Sequence, residues 1–547
     1  MKRLAFCVAL VLAAFSISLA QTSERTVLKS ITVGTPGGRL LEATDLVSGV
    51  TYPKGKWFGW TEDSEITTEF KRSAPAAPKL PASDDSAVTY GKVPSRNEFG
   101  INEGWYPSPD GSLLAVYRVD ESAVGEFPLL DINSRTGSLK SVRYPMNGMS
   151  SERVDLCVCD TLGNVLSTLQ VDEYTPERYI AGVSWTPDSR QLLVQVLDRR
   201  QHDLKLNLYE VSDGSFVSTL LTEHNDAWVE PREGVSFVEG TPFFVYTTDN
   251  RDGYRQLYLC DLGGGMLRLT GCDADVTYVG SSNGYIYYTS AEVSPVENHL
   301  YRIKFSFPKR RRAPKLAMLR LGKPERLTEA SGWHDVVMSP DGCRFIDFSS
   351  AVDQPGKVEL RSSNGKLEST LHFNQAPLTD FAPVTVEMGT VPSADPDYVN
   401  YYRLVKPAGF DPEAKYPVIV YVYGGPHSQM VQDRWLGLIR PWELMMAQHG
   451  YVLYIQDNRG TDNRGAKFAR AINRRCGKAE TADQVKGLEQ LIAEGWVDTA
   501  RIGVVGWSYG GFMTLTMMTS HPELFKAAVA GGPVIDWKWY EVMYGER

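Results

Sequence analysis

The sequence has few cysteines and lacks the cysteine spacings that mark metal or redox sites. Seven cysteines occur among 547 residues, and no two form a C-x-x-C pair, which argues against a zinc site and a thioredoxin-type motif. Six of the seven follow residue 20, and the sequence does not choose among their disulfide pairings. We expect neither a metal ion nor a cofactor.

Positive charge is also scarce. Lys and Arg total 57 against 66 Asp and Glu, which gives a formal charge of −9. No nucleic-acid partner is expected, because such a partner needs a phosphate-binding surface. One basic run, residues 309–312, stands between two prolines and is predicted to be a solvated loop tip.

Long apolar runs are absent except at the start of the chain. Residues 1–20 have an early Lys-Arg pair, then an apolar run, then small residues, which is the pattern of a secretory signal peptide. No later apolar stretch is long enough to cross a bilayer. We therefore expect an exported protein without a membrane span, either periplasmic or secreted.

Short β segments fill residues 85–385, separated by recurrent turns. Turns containing Pro-Asp-Gly or Pro-Asp-Ser begin at Ser108, Thr186 and Ser339, 78 and then 153 residues apart, close to one and two units of a single period. Proline and Asp or Gly suit the successive positions of such turns. With almost no helical periodicity, this repetition favours an all-β propeller over a large β-sandwich.

The pattern changes toward the C-terminus. Residues 418–425 and 450–460 are continuous apolar runs that end in glycine, as expected of strands buried in a parallel sheet. Helical stretches alternate with them, so residues 386–547 are predicted to form an α/β domain. We interpret residues 21–84 as an N-terminal segment and linker, since residues 72–87 are rich in Ala and Pro.

A serine stands on a predicted strand-to-helix turn. The apolar strand 502–505 runs into GWSYGG, and a helix-forming stretch follows. A nucleophile elbow needs this arrangement, because the strained turn lifts the serine hydroxyl clear of the sheet. We predict Ser508 as the nucleophile and the backbone N–H of Tyr509 as an oxyanion donor. The phenol of Tyr423 is either a second donor or an ordinary core residue.

Several longer stretches carry a resemblance to a known family. KYPVIVYVYGGPHSQ, DNRGTDNRG, AINRRCGKAETADQ, GWSYGGF and WKWYEVMYGER closely resemble the dipeptidyl peptidase IV branch of the prolyl oligopeptidase superfamily, as does RNEFGINEGWYPSPDG upstream. The match covers most of residues 90–547. It implies a β-propeller joined to an α/β-hydrolase domain. The implied activity is that of a serine exopeptidase, which removes di- or tripeptides from peptides with a free N-terminus, usually after proline. A homodimer is possible by the same resemblance.

The resemblance also assigns roles to aromatic residues. It makes Tyr423 the oxyanion-hole tyrosine. It further implies a slot for the residue before the scissile bond, and aromatic walls suit the flat ring of proline. Together with Tyr509, the walls of this slot are Val534, Trp537, Tyr540 and Tyr544.

An exopeptidase must also bind the free N-terminal ammonium, which calls for carboxylates. Dipeptidyl peptidases use two adjacent propeller glutamates, but the matching place here has Glu98 alone. This resembles bacterial prolyl tripeptidyl peptidases, which add an acid after the serine, at the position of Glu541. We predict Glu98 and Glu541 as the clamp, with Glu103 in reserve. Release of two or of three residues stays open.

The triad order Ser…Asp/Glu…His is not completed in this chain. After Ser508 the only histidine is His521 and the only aspartate is Asp536, and they come in the wrong order. The resemblance places the triad acid and base beyond Arg547. We therefore expect an incomplete propeller and a truncated hydrolase domain, whose apolar sheet edges favour aggregation. Without a base, Ser508 is a weak nucleophile.

Two other functions stay open. The same fold can hydrolyse esters or acylated peptides, in which case amino-blocked substrates would react as fast as free ones. The chain can also be a catalytically inactive binding protein. The joint presence of Ser508, Tyr423 and the aromatic slot argues against that alternative, because binding alone does not need all three together.

Overall fold

The structure of the chain is a computed structural model that describes residues 24–49, 51–69, 78–308 and 315–547. The predicted signal peptide, the basic run at 309–312 and part of the Ala/Pro-rich linker lie outside the described residues. The export prediction therefore stays a prediction.

The N-terminal segment contributes to two different parts of the molecule. Trp60 donates a 3.0 Å hydrogen bond from its indole to the carbonyl oxygen of Val337, which attaches this segment to the last propeller blade. The elements here are β1 (Thr26–Val33), α1 (Ala43–Ser48), β2 (Gly59–Trp60) and β3 (Ile66–Thr67).

In the described residues, five antiparallel sheets of four or five strands follow one another along the chain, and the last four are each formed from consecutive strands. The first blade contains β4 (Val88–Tyr90), β5 (Trp105–Pro107), β6 (Leu113–Asp120), β9 (Arg153–Asp160) and β10 (Val165–Thr168), with the separate hairpin β7 (Glu126–Asp131) and β8 (Ser138–Arg143) between β6 and β9. The second blade contains β11 (Arg178–Trp185), β12 (Gln191–Asp198), β13 (Asp203–Glu210) and β14 (Phe216–His224).

The three later blades have the same antiparallel order. Their strands are β15 (Ser236–Phe237), β16 (Phe243–Thr248), β17 (Gln256–Asp261) and β18 (Met266–Arg268); β19 (Val276–Ser282), β20 (Tyr285–Ser290), β21 (His299–Ser306) and β22 (Arg320–Arg326); and β23 (Trp333–Met338), β24 (Arg344–Ala351), β25 (Gln354–Ser362) and β26 (Leu367–Phe373).

The predicted turns recur at one place in the blade. Each begins after the inner strand, and a side-chain hydroxyl donates to the aspartate two residues on: Ser108 to Asp110 at 2.6 Å, Thr186 to Asp188 at 2.7 Å and Ser339 to Asp341 at 2.6 Å. Ser108 and Thr186 lie in the first and second blades, 78 residues apart, whereas Thr186 and Ser339 lie in the second and fifth blades, 153 residues and three blades apart. The turns therefore mark blades, but the single period predicted from their spacing is wrong. The predicted fold class, a β-propeller with an α/β-hydrolase domain, is confirmed.

A seven-stranded mixed sheet forms the second part, in the order β1-β27-β28-β30-β29-β31-β32. The strands that follow the propeller are β27 (Val384–Pro392), β28 (Val399–Pro407), β29 (Tyr416–Tyr421), β30 (Val452–Gln456), β31 (Val497–Trp507) and β32 (Ala527–Gly531). The helices of this part of the chain are α2 (Pro441–Gln448), α3 (Ala466–Ala469), α4 (Lys478–Ala493), α5 (Tyr509–Ser520) and α6 (Val542–Gly545). Val542 and Met543 of α6 pack into the core of the first two blades. Short 3₁₀ turns in the described chain are Ser95–Asn97, Leu316–Met318, Trp435–Gly437, Arg470–Ile472 and Trp537–Trp539.

This sheet extends the predicted hydrolase segment at its N-terminal edge. Within the predicted N-terminal segment and linker, residues 21–84, β1 pairs antiparallel with β27, with Ile31 opposite Val386. Such pairing across hundreds of residues has no local sequence signal. The other domain boundaries stay predictions.

Two parallel neighbours position the site. Strands β29 and β31 are parallel neighbours with Tyr421 opposite Val505, so the loops that follow them start at the same edge of the sheet. The loop after β29 carries Tyr423, and the turn after β31 carries Ser508. Ligands of open α/β sheets bind at this carboxyl edge.

Cysteine pairing and membrane helices can be checked within the described part of the chain. The six cysteines there are all free thiols. No helix among the described residues has the length and apolarity to span a bilayer.

Candidate active site

Ser508 lies on a sharp turn between β31 and α5. Its backbone angles are φ 58° and ψ −119°, which non-glycine residues rarely adopt. Glycines allow the close approach around it: a Cβ on Gly506 would lie 2.2 Å from the Gly510 carbonyl oxygen, and one on Gly510 would lie 2.2 Å from that of Val422. The turn has the geometry expected of a nucleophile elbow.

Two donors flank the serine. Tyr509 is the first residue of α5, and the first amides of a helix have no intrahelical acceptor. The Tyr423 phenol lines the same cavity as Ser508. Burial raises the pKa of Tyr423, so the phenol keeps its proton at neutral pH. An amide and a phenol are therefore available to stabilise a negative oxygen.

A cavity of about 750 Å³ opens beside Ser508, Tyr423 and Tyr509, and the predicted slot residues line it: Val534, Trp537, Tyr540 and Tyr544. The rings contact one another in a row, with centroid separations of 5.9 Å for Tyr509–Trp537, 5.8 Å for Trp537–Tyr540 and 6.1 Å for Tyr540–Tyr544. The structure thus brings all of these residues together as an aromatic-walled slot, which suits a flat apolar ring.

A buried glutamate behind this slot was missed by the sequence reasoning. Glu480 lies on the first turn of α4 and is fully buried. Its Oε1 accepts a 2.6 Å hydrogen bond from the Tyr509 hydroxyl and a 2.9 Å hydrogen bond from the Gly477 amide. Burial raises the pKa of Glu480. The stretch AINRRCGKAETADQ, which contains Glu480, does not indicate that this carboxylate contacts Tyr509.

The two predicted clamp carboxylates lie near each other. Glu541 is 5% exposed and forms an ion pair with Arg96. Burial raises the pKa of Glu541 to about 7; the charge of Arg96 opposes this shift and that of Glu98 adds to it. Burial also raises the pKa of Glu98, against a hydrogen bond with Tyr544 and the charge of Arg547. Neither carboxylate is among the described residues that line the cavity with Ser508, but Tyr544 and Arg547, the two partners of Glu98, are.

Arg547 joins this end of the cavity to the propeller, which the sequence reasoning did not anticipate. Its guanidinium lies 3.7 Å from Glu98 and 3.3 Å from Glu230. It also lies 3.2 Å from the Nε2 atom of His427. Burial opposes the ionisation of Glu230, but the charges of Arg547 and His427 outweigh it and hold its pKa below the ordinary value.

The reserve residue Glu103 is placed elsewhere. It lines a separate cavity of about 370 Å³ inside the propeller, together with Tyr106 and Glu233. Among the described residues, those lining that cavity do not include Ser508 or any slot residue. The structure therefore gives Glu103 no part in the cavity beside the serine.

The turn after β30 holds the loop that carries Tyr423. Asn458 donates a 3.1 Å hydrogen bond from Nδ2 to the carbonyl oxygen of Gly424, the residue after Tyr423. Asp457 accepts 2.8 Å hydrogen bonds from the amides of Met430 and Val431. These hydrogen bonds give the Asp and Asn of the DNRG stretch a structural role, whereas the sequence analysis used the stretch only as a family motif.

The other histidine and aspartate candidates lie away from the serine. His521 follows α5 and is 3.0 Å from Glu523, while Asp536 pairs with Lys538 at 2.9 Å. Neither is among the described residues that line the cavity with Ser508. His427 lines a second cavity of about 920 Å³, which shares Tyr423 with the first. No cluster of His, Cys, Asp and Glu suited to a metal ion occurs in the described ranges.

Comparison with known families is consistent with this site. Residues 83–356 match the family described as "Dipeptidyl peptidase IV (DPP IV) N-terminal region". Residues 440–547 match the "Prolyl oligopeptidase family". The first match covers four blades and the start of the fifth, and the second covers the elbow and the slot.

Individual relatives agree. The chain is 25% identical to mouse dipeptidyl peptidase 8 over 531 residues, covering 81% of this chain and 57% of the relative. Among solved structures, a dipeptidyl aminopeptidase IV candidate from Bacteroides ovatus matches with a TM-score of 0.78 and 36% identity, covering 85% of this chain and 67% of the other. Porphyromonas gingivalis dipeptidyl peptidase 4 matches with a TM-score of 0.76 and 28% identity, covering 85% and 65%. The chain spans less than two thirds of the length of the curated relatives it matches, 59% and 57% for the first two.

Proposed function

This chain belongs to the prolyl oligopeptidase family, in its dipeptidyl peptidase IV branch, and we propose on that premise that it is a serine exopeptidase. It releases N-terminal di- or tripeptides, preferentially after proline, from peptides with a free N-terminus. The observation that carries the proposal is the meeting of Ser508, Tyr423 and the aromatic slot at one cavity.

The chemistry follows from this arrangement. A proline ring in the slot sets the carbonyl carbon of the scissile bond next to the Ser508 hydroxyl, which attacks it. The Tyr509 amide and the Tyr423 phenol donate to the oxyanion that forms. The amine of the downstream peptide then leaves, and water hydrolyses the resulting acyl-enzyme. The Ser508 proton needs a general base, and the predicted base and its acid partner stay predictions.

Glu98 and Glu541 make the enzyme an exopeptidase in this proposal. Their carboxylates bind the substrate ammonium at the end of the cavity, and this contact limits the number of residues between the N-terminus and Ser508. Arg96 and Arg547 hold the two carboxylates in place. An N-acetylated peptide would lose this contact.

The test measures both binding and cleavage. Xaa-Pro and Xaa-Xaa-Pro p-nitroanilides, each with a free or an acetylated amine, are offered to the 547-residue protein and to any longer product of its gene. We expect the free-amine compounds to bind to both, and any cleavage to disappear in Ser508→Ala. Cleavage of the free-amine Xaa-Xaa-Pro compound identifies tripeptide release, and cleavage of the free-amine Xaa-Pro compound identifies dipeptide release.

The controls separate the alternatives. Equal cleavage of acetylated and free substrates, or cleavage of simple esters alone, would make the protein an esterase or acylpeptide hydrolase. Binding without cleavage by any product of the gene would make it a binding protein. Trp537→Ala should weaken proline-peptide binding, whereas the exposed Trp539→Ala should not, since Trp539 does not line the cavity.

A further inference from the structure

The cavity beside Ser508 carries positive charge, against the trend of the whole protein. The chain has a formal charge of −9. Among the described residues that line this cavity, however, one is acidic, Glu546, and five are basic: Arg200, Arg474, Arg475, Lys478 and Arg547. A cleft lined by one sign of charge concentrates ligands of the opposite sign.

Part of this charge is already neutralised by the protein. Glu546 receives two hydrogen bonds from Arg199, at 2.6 and 2.8 Å, so it does not offset the lining cations. Arg547 lies against Glu98 and Glu230. By contrast, the exposed side chains of Arg475 and Lys478 form no ion pair and no hydrogen bond with any described residue.

These two cations lie directly beside the aromatic slot. They flank Gly477, where an added Cβ would lie 3.1 Å from the ring of Phe512. The Phe512 ring in turn packs on the slot residue Trp537 with a centroid separation of 5.6 Å. The Gly477 amide also shares the Glu480 carboxylate with Tyr509. The loop is therefore held against the slot wall by packing and by hydrogen bonds.

The position of the loop tells which part of a peptide it would meet. The slot cavity and the second cavity share Tyr423, Pro426 and Tyr544, and the second is lined further by Trp507 and His427. Arg475 and Lys478 line the slot cavity and not the second one. Residues on the N-terminal side of the scissile bond, which are released, share the slot cavity with these cations.

We propose that the enzyme favours peptides with an acidic side chain directly before the slot residue, its carboxylate lying against Arg475 and Lys478. This inference rests on the proposed function, since it names a substrate class for the same site. The ligand chemistry is a short peptide with a free ammonium, then a carboxylate side chain, then proline. The ammonium of the peptide binds Glu98 and Glu541, and its side-chain carboxylate binds Arg475 and Lys478.

The test is a set of binding measurements that do not depend on cleavage. Affinities of Asp-Pro, Asn-Pro and Lys-Pro, and of Ala-Asp-Pro and Ala-Asn-Pro, are measured by calorimetry at low ionic strength. Asn matches Asp in shape and lacks its charge. We expect the Asp peptide to bind about threefold to tenfold more tightly than its Asn partner in at least one series, as two partly exposed ion pairs allow. Added salt should reduce the difference.

Paired variants locate the effect. In Arg475→Gln/Lys478→Gln the preference for Asp over Asn should fall to about onefold, while retained binding of Asn-Pro reports an intact slot. The matched control, Lys140→Gln/Lys366→Gln, removes the same charge from exposed sites on the propeller and should retain the preference.

The outcomes are distinguishable. Equal binding of Asp and Asn peptides by the unmodified protein, or an equal preference in both double variants, overturns the acidic preference and leaves the exopeptidase proposal intact. Failure of every proline peptide to bind overturns the proposed function and, with it, this inference.

Discussion

The Glu480 carboxylate accepts a 2.6 Å hydrogen bond from the hydroxyl of Tyr509, the residue that directly follows the nucleophile. Tyr509 is both a slot wall and the predicted source of an oxyanion N–H. A buried carboxylate on α4 therefore fixes the side chain of the residue on which the elbow and the slot both depend.

Removing this carboxylate should weaken the slot and the fold together. Glu480→Ala would remove the carboxylate acceptor of the Tyr509 hydroxyl and leave the Gly477 amide without a side-chain partner, and an unsatisfied buried group costs about 1–3 kcal/mol. Glu480→Gln keeps an acceptor and should lose less. Urea unfolding and Ala-Pro binding measure the two effects, and the exposed Glu489→Ala on the same helix should change neither. Equal losses in the Gln and Ala variants would contradict this role.

The elbow glycines should tolerate no side chain. In Gly510→Ala the new Cβ would lie 2.2 Å from the Val422 carbonyl oxygen, and neither backbone can move away without disturbing the sheet. Overpacking of this kind costs about 1–3 kcal/mol or more. Gly503→Ala on β31, the strand that leads into the elbow, is the control, because its nearest contact would be an ordinary 3.6 Å. Thermal unfolding should separate the two variants by several degrees; similar melting temperatures would refute the crowding argument.

Binding of free-amino peptides should depend on pH through Glu541. Its folded pKa is about 7, raised mainly by burial, so the carboxylate is fully charged only above that pH. Peptide affinity should rise from pH 5.5 to 7.5 and fall again once the peptide amine loses its proton, near a pKa of about 8. Glu541→Gln should flatten the rising limb, whereas Glu103→Gln should leave it unchanged. A pH-independent affinity would remove Glu541 from the clamp.

The same carboxyl affects stability with a definite sign. A folded pKa above the unfolded value means that the native state binds more protons, so stability falls as pH rises from about 4.5 to 7. Urea unfolding at several pH values should show a shallower decline over this range in Glu541→Gln. A steeper decline in the variant would contradict the raised pKa.

The outer strand of the hydrolase sheet should promote self-association. Val529 on β32 is 66% exposed, and the nearby Ile535 is 77% exposed. An edge strand with exposed apolar side chains can pair with another chain. Val529→Lys should reduce light scattering at high protein concentration. Val165→Lys, at an exposed site on β10, is the control and should not reduce it. Equal light scattering by the unmodified protein and both variants would exclude β32 as the site of self-association.

The parts of the fold and site that the sequence could predict are those with local causes. The Ser-Pro-Asp-Gly type turns recur because hydroxyl-to-aspartate hydrogen bonds close within two residues. They mark three of the five blades in the sequence, although their spacing is not that of a single blade repeat. The elbow can be recognised in the sequence because a strained serine between a strand and a helix needs glycines on both sides, where the backbones approach each other closely. The aromatic slot, in contrast, was recognised by family resemblance, since its residues alone look like ordinary core.

The rest depended on contacts between distant residues. The Arg547 guanidinium meets Glu230 across 317 positions, Glu480 meets Tyr509 across 29, and β1 pairs with β27 across the whole propeller. Ion pairs and hydrogen bonds of this kind leave no periodic or local signal in the sequence. The backbone conformation of each residue depends on its neighbours in the chain and not on its distant partner. The sequence by itself determined where a serine could be strained and which turns connect the strands of a blade. Only the tertiary structure decided which carboxylates and cations surround that serine.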